Sequence, residues 1–290
     1  MNIDKSDQHM KSNLTFCIST YNNLPYLKLA IDSVRKYSYY TDAPFIIHAE
    51  NCDDGTNEWL FKNRDKYNLT LLIEPETSQV RGIGGGMNVC ADHVTTKYIL
   101  FLHSDMVVSE NWDKYLVEYA EANPRTWVDS FRIEPNIFNS PPARKATIVV
   151  PNDSFGEFHH NFKNTLFQQY AQELSELNPD TIIPVVQGVS GLIEKVVWDE
   201  IGGNDPQFAP ASWEDLDLFY RMQLLNVKYA STAASVVYHF AARGSHFLND
   251  DLTKTSDRQK LAEAENIHKW ISKWKTLPVF NEYGMIVGLQ

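Results

Sequence analysis

The sequence predicts an α/β fold in which a mostly parallel, Rossmann-like sheet is flanked by helices and followed by a less regular C-terminal half. Three observations lead there. Over the first hundred residues strand-like and helix-like patterns alternate with short breaks, the rhythm of βα units in series. The run Tyr98-Ile99-Leu100-Phe101-Leu102 is apolar throughout, as a strand buried on both faces requires. Each strand pattern ends in a polar cluster, and open α/β sheets bind ligands at the carboxyl ends of their strands.

In chain order, Leu14, Phe16 and Ile18 alternate with smaller residues as a first strand running into Ser19-Thr20-Tyr21-Asn22-Asn23. Pro25 opens a helix whose apolar positions Leu24, Leu27, Ile31 and Val34 keep the three-to-four spacing. The second strand, Phe45 to Ala49, runs into Asn51-Cys52-Asp53-Asp54-Gly55-Thr56, and Thr56 is expected to cap a helix carrying Trp59, Leu60 and Phe61. A third strand, Leu69 to Ile73, precedes Gly82-Ile83-Gly84-Gly85-Gly86-Met87-Asn88 and a helix. The fourth strand ends in His103-Ser104-Asp105. Residues 134–152 hold Pro135, Pro141, Pro142 and Pro151 and read as a loop or ordered insertion. A helix is expected from about Phe158 to Leu177, followed by Gln187-Gly188-Val189-Ser190-Gly191 and the stretch Trp198 to Gly203. Trp213-Glu214-Asp215-Leu216-Asp217 then opens a helix through Leu218 and Leu225, and a strand ends at His239. From Ser256 to Lys275 an amphipathic helix with Leu261, Ile267, Trp270, Ile271 and Trp274 is expected to fold back on the domain.

Composition narrows the partners. A net charge of −11 with no run of Lys and Arg argues against nucleic acid and against an anionic membrane surface. An acidic protein binds a diphosphate when a divalent cation intervenes. Cys17, Cys52 and Cys90 show no metal-ligand spacing and read as free thiols of a cytoplasmic protein. The polar N-terminus is unlike a signal peptide, and no stretch approaches the roughly 18 apolar residues of a membrane span. The sequons at Asn13, Asn68 and Asn152 therefore carry little weight.

Each motif has a functional and a plain reading. Gly82-x-Gly84-x-x-Met87 lacks the third glycine of a dinucleotide fingerprint and follows the third strand, which sets a dehydrogenase aside. It fits a helix start approaching phosphate or ribose, or a simple turn. Asp105, at the mouth of a buried strand, suits a hard cation holding a diphosphate, or a helix cap. Glu214-Asp215 can divide labour between taking a proton and orienting substrate, with Phe208 and Trp213 as an aromatic approach for a sugar; the plain reading is an N-cap. His239 ends a strand, and a lone histidine is more often structural; His159-His160 has no spacing partner and reads as surface.

Taken together, the order of motifs resembles the family 2 glycosyltransferases of the GT-A fold. The matching elements are Thr20-Tyr21-Asn22-Asn23, Asp53-Asp54-Gly55-Thr56, Gly84-Gly85-Gly86-Met87-Asn88, and His103-Ser104-Asp105 in place of the family's D-x-D. Ile201 to Asp205 with Trp213 to Asp217 looks like the acceptor and catalytic region, and His239 with Arg243-Gly244-Ser245 like the C-terminal metal-side element. The resemblance spans about residues 13 to 246 and implies a GT-A-like domain over 1–250, with a nucleotide-binding half at about 13–109 and an acceptor half at about 110–250. Residues 251–290 form the C-terminal helix and tail. It further implies that Thr20, Tyr21, Asn22, Asp53 and Asp54 line the base and ribose pocket, and that Gly84, Gly85 and Asn88 lie along the nucleotide, with His103 and Ser104 beside it. Asp105 would hold Mn²⁺ or Mg²⁺ on the diphosphate with His239 as second ligand, Asp215 would be the general base, and Glu214 would orient the acceptor. The activity implied is inverting transfer from a UDP-, GDP- or dTDP-sugar to a glycan, lipid-linked or small-molecule acceptor, in the cytoplasm or peripheral to a membrane. His103 departs from the family's first Asp, which opens the alternative of a non-catalytic binding protein. A sugar nucleotidyltransferase would want Arg and Lys in a glycine-rich loop where Tyr21 to Pro25 stands.

Overall fold

The structure is a computed structural model that describes residues 12–75, 80–139, 143–144, 146–188, 190–241, 243, 247–248, 251–255, 257–282 and 285–290, with the backbone alone for 143–144, 247–248 and 251–259. Pro141, Pro142, Val189, Gly244, Ser245 and Ser256, named above, lie outside the described residues.

The first half follows the predicted rhythm. β1 (Leu14–Thr20), α1 (Leu24–Tyr37), β2 (Phe45–Glu50), α2 (Thr56–Asn63), β3 (Leu69–Glu74), α3 (Gly82–Asp92) and β4 (Tyr98–His103) succeed one another. Their strands pair in parallel in the order β3-β2-β1-β4. Ser19 stands opposite His103, and Thr20 opposite Ala49, so the polar clusters share one edge of the sheet. One feature differs at α2. Thr56 is its first residue, and Gly55, with φ of 86°, stands as the cap. The Asp54 carboxylate takes the capping role by accepting from the Thr56 amide at 3.1 Å.

The second half widens the sheet. β5 (Met106–Val108), α4 (Trp112–Ala122), β6 (Thr126–Pro135), β7 (Ala143–Arg144), β8 (Thr147–Val150), α5 (Asn152–Phe155), α6 (Asn164–Leu177), β9 (Ile182–Ile183), β10 (Leu192–Glu194), α7 (Lys195–Ile201), α8 (Glu214–Leu224) and β11 (Lys228–His239) follow. The sheet continues β4-β10-β6-β11-β5, with β10 antiparallel to both neighbours and β6 parallel to β11. The proline-bearing segment returns as β8, paired with β6. The helix expected from Phe158 begins at Asn164, after a 3₁₀ turn over His159–Asn161.

Both faces of the sheet are covered. Leu27, Ile31 and Val34 of α1 and Trp112 and Leu116 of α4 pack on one face; Met87 and Cys90 of α3, Trp198 of α7 and Leu218 of α8 pack on the other. All three cysteines are buried and free. α9 (Asp257–Trp274) lies against α8: Trp270 is fully buried, Trp213 and Tyr220 contact it, and Tyr220 meets Trp274 edge-on at 4.7 Å. The Asp217 carboxylate, fully buried, binds Arg221, Lys273 and the Trp274 indole at 2.6–2.9 Å, which fastens the two helices. Among the described residues no helix is long and apolar enough to cross a membrane.

Candidate active site

Strand register assembles the first cluster. β4 delivers His103 at its end, and the chain turns at Ser104 and Asp105 into β5. β5 pairs with the end of β11, which sets His239 opposite Met106 and alongside Asp105. The β6–β11 register jumps by three residues between Thr232 and Val236, and this bulge brings Tyr238 opposite Ile133. One position further on, the His239 Nδ1 meets a Glu134 carboxylate oxygen at 2.8 Å.

His103, Asp105 and His239 each offer a ligand atom, and these atoms lie within 4.8 Å of one another. The His239 Nε2 is 3.5 Å from the Asp105 Oδ1, while the Asp105 Oδ2 accepts from the Arg243 amide at 3.1 Å. The His103 Nε2 is buried with no hydrogen-bond partner. Burial, with His239 beside it, pushes the His103 pKa down to about 3, so its ring is neutral. Burial would lower the His239 pKa as well, but Asp105 and Glu134 outweigh it and raise it to about 9. Burial would raise the Asp105 pKa; the two imidazoles and the Arg243 amide hold it below the usual value. A positive charge is therefore held between two carboxylates, and an orphaned neutral imidazole faces it. This donor set fits a divalent transition metal. Asp105 caps no helix, because β5 follows it. Sequence reasoning missed Glu134, which orients His239 as an outer carboxylate.

A second group lies where β1, β2 and β4 end. The Asn22 Nδ2 donates to the Asp53 Oδ1 at 2.5 Å, and the Asp53 amide returns a bond to the Asn22 Oδ1 at 2.8 Å. The Asp54 carboxylate accepts from the Leu24 amide at 2.9 Å as well as from Thr56, so it fixes the starts of α1 and α2. Asn23 reaches across to the Ser104 hydroxyl at 3.1 Å. The Thr20 hydroxyl is buried without a partner, and Tyr21 is half-buried beside it.

The glycine-rich start of α3 has a packing explanation. A Cβ on Gly82, whose φ is 68°, would sit 1.8 Å from the Pro210 carbonyl oxygen. One on Gly86 would sit 2.0 Å from the Ser19 hydroxyl. Gly84 faces Asn204 and Gly85 faces the Arg81 side chain. The amides of Arg81 and Gly82 already donate to the buried Glu50 carboxylate. Asn88 uses both of its polar atoms on the Asn204 backbone, each at 2.8 Å.

The third group opens α8. Ser212 and Trp213 both have φ of 72°, a left-handed pair that turns the chain sharply before Glu214. Trp213 occupies the N-cap position with no side-chain cap bond, so Glu214 and Asp215 lie in the first turn and neither is the cap. The Asp215 Oδ1 accepts from the Leu216 amide at 2.7 Å. Glu214 is 8% exposed, and its Oε2 is buried without a partner. Burial, with Asp215 beside it, raises the Glu214 pKa to about 8. Residues 211–216 line a pocket of about 640 Å³ whose far wall is Glu263 and Ile267 of α9. The expectation that Phe208 joins Trp213 as an aromatic approach does not hold. Phe208 is fully buried against Trp270 and Ile286, and Trp213 alone of the two lines the pocket.

No curated protein sequence matches the chain. Among solved structures, S. aureus TarS shares 14% identity over 78% of this chain and 36% of its own, with a TM-score of 0.55. A 1–349 piece of TarS in complex with UDP gives 13%, 78%, 59% and 0.54. GalNAc-T7 with UDP, GalNAc and Mn²⁺ gives 13%, 78%, 43% and 0.57. The chain thus spans about one third to three fifths of the structures it resembles, and the likeness is one of fold, the GT-A glycosyltransferase fold. The sequence model of glycosyl transferase family 2 matches residues 15–186, more than half of the chain. With that match laid over the sheet edge just described, the chain belongs to glycosyl transferase family 2.

Proposed function

We propose that this protein transfers a sugar, with inversion, from a nucleotide-sugar donor to an acceptor hydroxyl, and that a divalent cation assists. The observation that supports it most is the orphaned His103 Nε2 facing Asp105 and His239 at the edge where the β1, β2 and β4 clusters meet. His103, Asp105 and His239 would hold the cation, which supplies positive charge for the departing diphosphate. Two imidazoles and one carboxylate suit Mn²⁺ better than Mg²⁺, which prefers oxygen ligands. In place of the family's first Asp, His103 gives the same site a softer donor, so the departure favours a change of metal over loss of binding.

Thr20, Tyr21, Asn22 and Asp53 would receive the base and ribose, with Ser104 beside them, and Asp54 would fix the loops that carry them. UDP, GDP and dTDP donors all fit this description. Gly84 and Asn88 serve the pocket at one remove, by seating α3 on Asn204, and Gly85 makes room for the Arg81 side chain at the start of the same helix. Asp215 would take the acceptor proton as the sugar–phosphate bond breaks, while protonated Glu214, buried beside it, orients the acceptor. The described chain reads as one catalytic unit with α9 closing its acceptor side. Three buried free thiols suit the reducing cytoplasm.

The test is a thermal-shift screen of UDP, GDP and dTDP, each with Mn²⁺, Mg²⁺ or EDTA. A bound diphosphate at about 100 times its dissociation constant stabilises by roughly 2.7 kcal/mol. One diphosphate should stabilise with Mn²⁺ most and with EDTA least. No shift with any combination would overturn the reading.

A further inference from the structure

A second cavity, of about 500 Å³, opens beside α1 and the start of α6 and shares no residue with the groups proposed for donor, cation and acceptor. Hydrogen bonds fix its walls in advance, as ligand pockets usually require. The Ser33 hydroxyl receives the Val108 amide at 3.2 Å and donates to the Ala30 carbonyl at 2.9 Å, which seats α1 on β5. The Gln168 Nε2 ties α6 to the Val108 carbonyl at 3.0 Å, and the Asn164 Nδ2 donates to the Tyr37 hydroxyl at 2.7 Å. On the other side, Arg35 donates to the carbonyls of Tyr67, Ala43 and Asn68 at 2.8, 3.0 and 3.1 Å, which fixes the turn before β3.

The cavity is apolar within and basic at its mouth. Val107 is buried at the bottom, and Leu29 and Phe162 are half-buried on the walls. Lys36 and Lys66 are exposed at the rim. Lys36 lies over the Tyr37 ring at 4.9 Å, and Lys66 lies over the Tyr67 ring at 4.2 Å and donates to its hydroxyl at 2.5 Å. Among the described residues neither ammonium is paired with a carboxylate. The one carboxylate of the lining, Asp32, already accepts from the Tyr67 hydroxyl at 2.5 Å. With Arg35 the lining sets three basic groups against one acid, in a chain whose net charge is −11. Exposed lysines alone hold an anion weakly, because water and salt screen them. A ligand that also buries an apolar part against Val107, Leu29 and Phe162 adds the hydrophobic contribution that the head lacks.

We propose that this cavity is a second ligand site, for a small amphipathic anion. The apolar part sits on Leu29, Val107 and Phe162, and a phosphate or carboxylate head is held by Lys36 and Lys66. Such a site stands whether or not the chain transfers sugars.

The experiment is calorimetric titration of the full chain in EDTA, which keeps metal-borne phosphate binding out of the measurement. The probes are octyl phosphate, octanoate, octyl glucoside, octylamine and inorganic phosphate, the amphiphiles below their micelle concentrations. The tighter of octyl phosphate and octanoate should bind at least about tenfold better than the neutral amphiphile, the cationic one or bare phosphate. The double substitution Lys36→Glu with Lys66→Glu, at exposed positions, should weaken that probe at least about tenfold. Lys114→Glu with Lys228→Glu, the same charge change elsewhere, should leave it within about twofold of wild type. Co-sedimentation with phosphatidylcholine vesicles, with and without phosphatidic acid, separates the two sources of such a head. Binding to the acidic vesicles that is lost in the Lys36 and Lys66 variant puts the head on a lipid; binding of the soluble amphiphile alone puts it on a soluble metabolite. Octyl glucoside or inorganic phosphate binding as tightly as the anionic amphiphile would overturn the proposal. So would wild-type affinity in the Lys36 and Lys66 variant, or no binding of either anionic amphiphile.

Discussion

Replacing Glu134 by Gln isolates the outermost support of the proposed cation site. Glu134 is 5% exposed, and its carboxylate receives the His239 Nδ1 at 2.8 Å, which leaves the His239 Nε2 toward Asp105. Gln keeps the shape and a carbonyl acceptor for that ring nitrogen, so the fold and the imidazole orientation should survive. The substitution removes the negative charge that makes the imidazole a stronger donor. Losing such an outer partner typically costs about 10- to 100-fold in metal affinity, which is about 1.4–2.8 kcal/mol. Calorimetric titration of Mn²⁺ into protein saturated with the stabilising nucleoside diphosphate measures it directly, and the melting temperature in EDTA monitors the fold. The expected result is a Mn²⁺ dissociation constant raised by that factor with little change in EDTA. A dissociation constant within twofold of wild type would refute the assignment of Glu134 and His239 to the cation site. A large loss of melting temperature in EDTA with unchanged Mn²⁺ affinity would make Glu134 a purely structural residue.

Four further substitutions test the proposed site. Asp215→Asn should lower transfer to acceptor by at least about 100-fold while leaving the nucleoside diphosphate affinity near wild type; retained transfer removes this residue from the mechanism. Asp53→Ala should weaken nucleoside monophosphate and diphosphate by similar factors at little cost in stability. Asp54→Ala should instead lower stability by about 1–2 kcal/mol, since it strips the starts of α1 and α2; the reverse assignment of effects would show the two residues have been interchanged. The Glu214 pKa of about 8 stands above its ordinary value of 4.5. Between those values the folded protein holds a proton that the unfolded chain has lost. Stability is therefore fully present below about pH 4.5 and falls as pH rises toward 8. Glu214→Gln should flatten that slope in melting temperatures taken from pH 5 to 8.5, and an unchanged slope contradicts the burial of this carboxyl.

What could be read from the chain and what could not divides along physical lines. β1 and α1 were legible because a period of two, or of three to four, ran through them, and β4 because it is apolar throughout. His103 and Asp105 were legible because a buried strand must end where its polar residues begin. Glu134 was not, because it meets His239 only through a parallel pairing of strands 105 residues apart and a three-residue bulge, and neither leaves a local pattern. Phe208 and Trp213 look equivalent in sequence, and only the packing of α9 decides that one is core and the other pocket wall. The glycines of α3 suggested room for a ligand. The space they vacate is filled by Pro210, Asn204 and Ser19, which come from elsewhere in the chain.

Glu50 gives the start of α3 a further property. A helix start is ordinarily an anion trap, indifferent to whether the anion is a nucleotide, inorganic phosphate or any phosphorylated metabolite. Here the trap is plugged from within by a carboxylate bound to the Arg81 and Gly82 amides. A phosphate approaching the start of α3 meets that carboxylate on the first two amides. On the proposed reading, a diphosphate gains its hold through the cation cluster and its nucleoside together. Discrimination against the abundant small phosphates is then a matter of requiring two keys at once, the ion and the base, where a bare helix start would have turned for one.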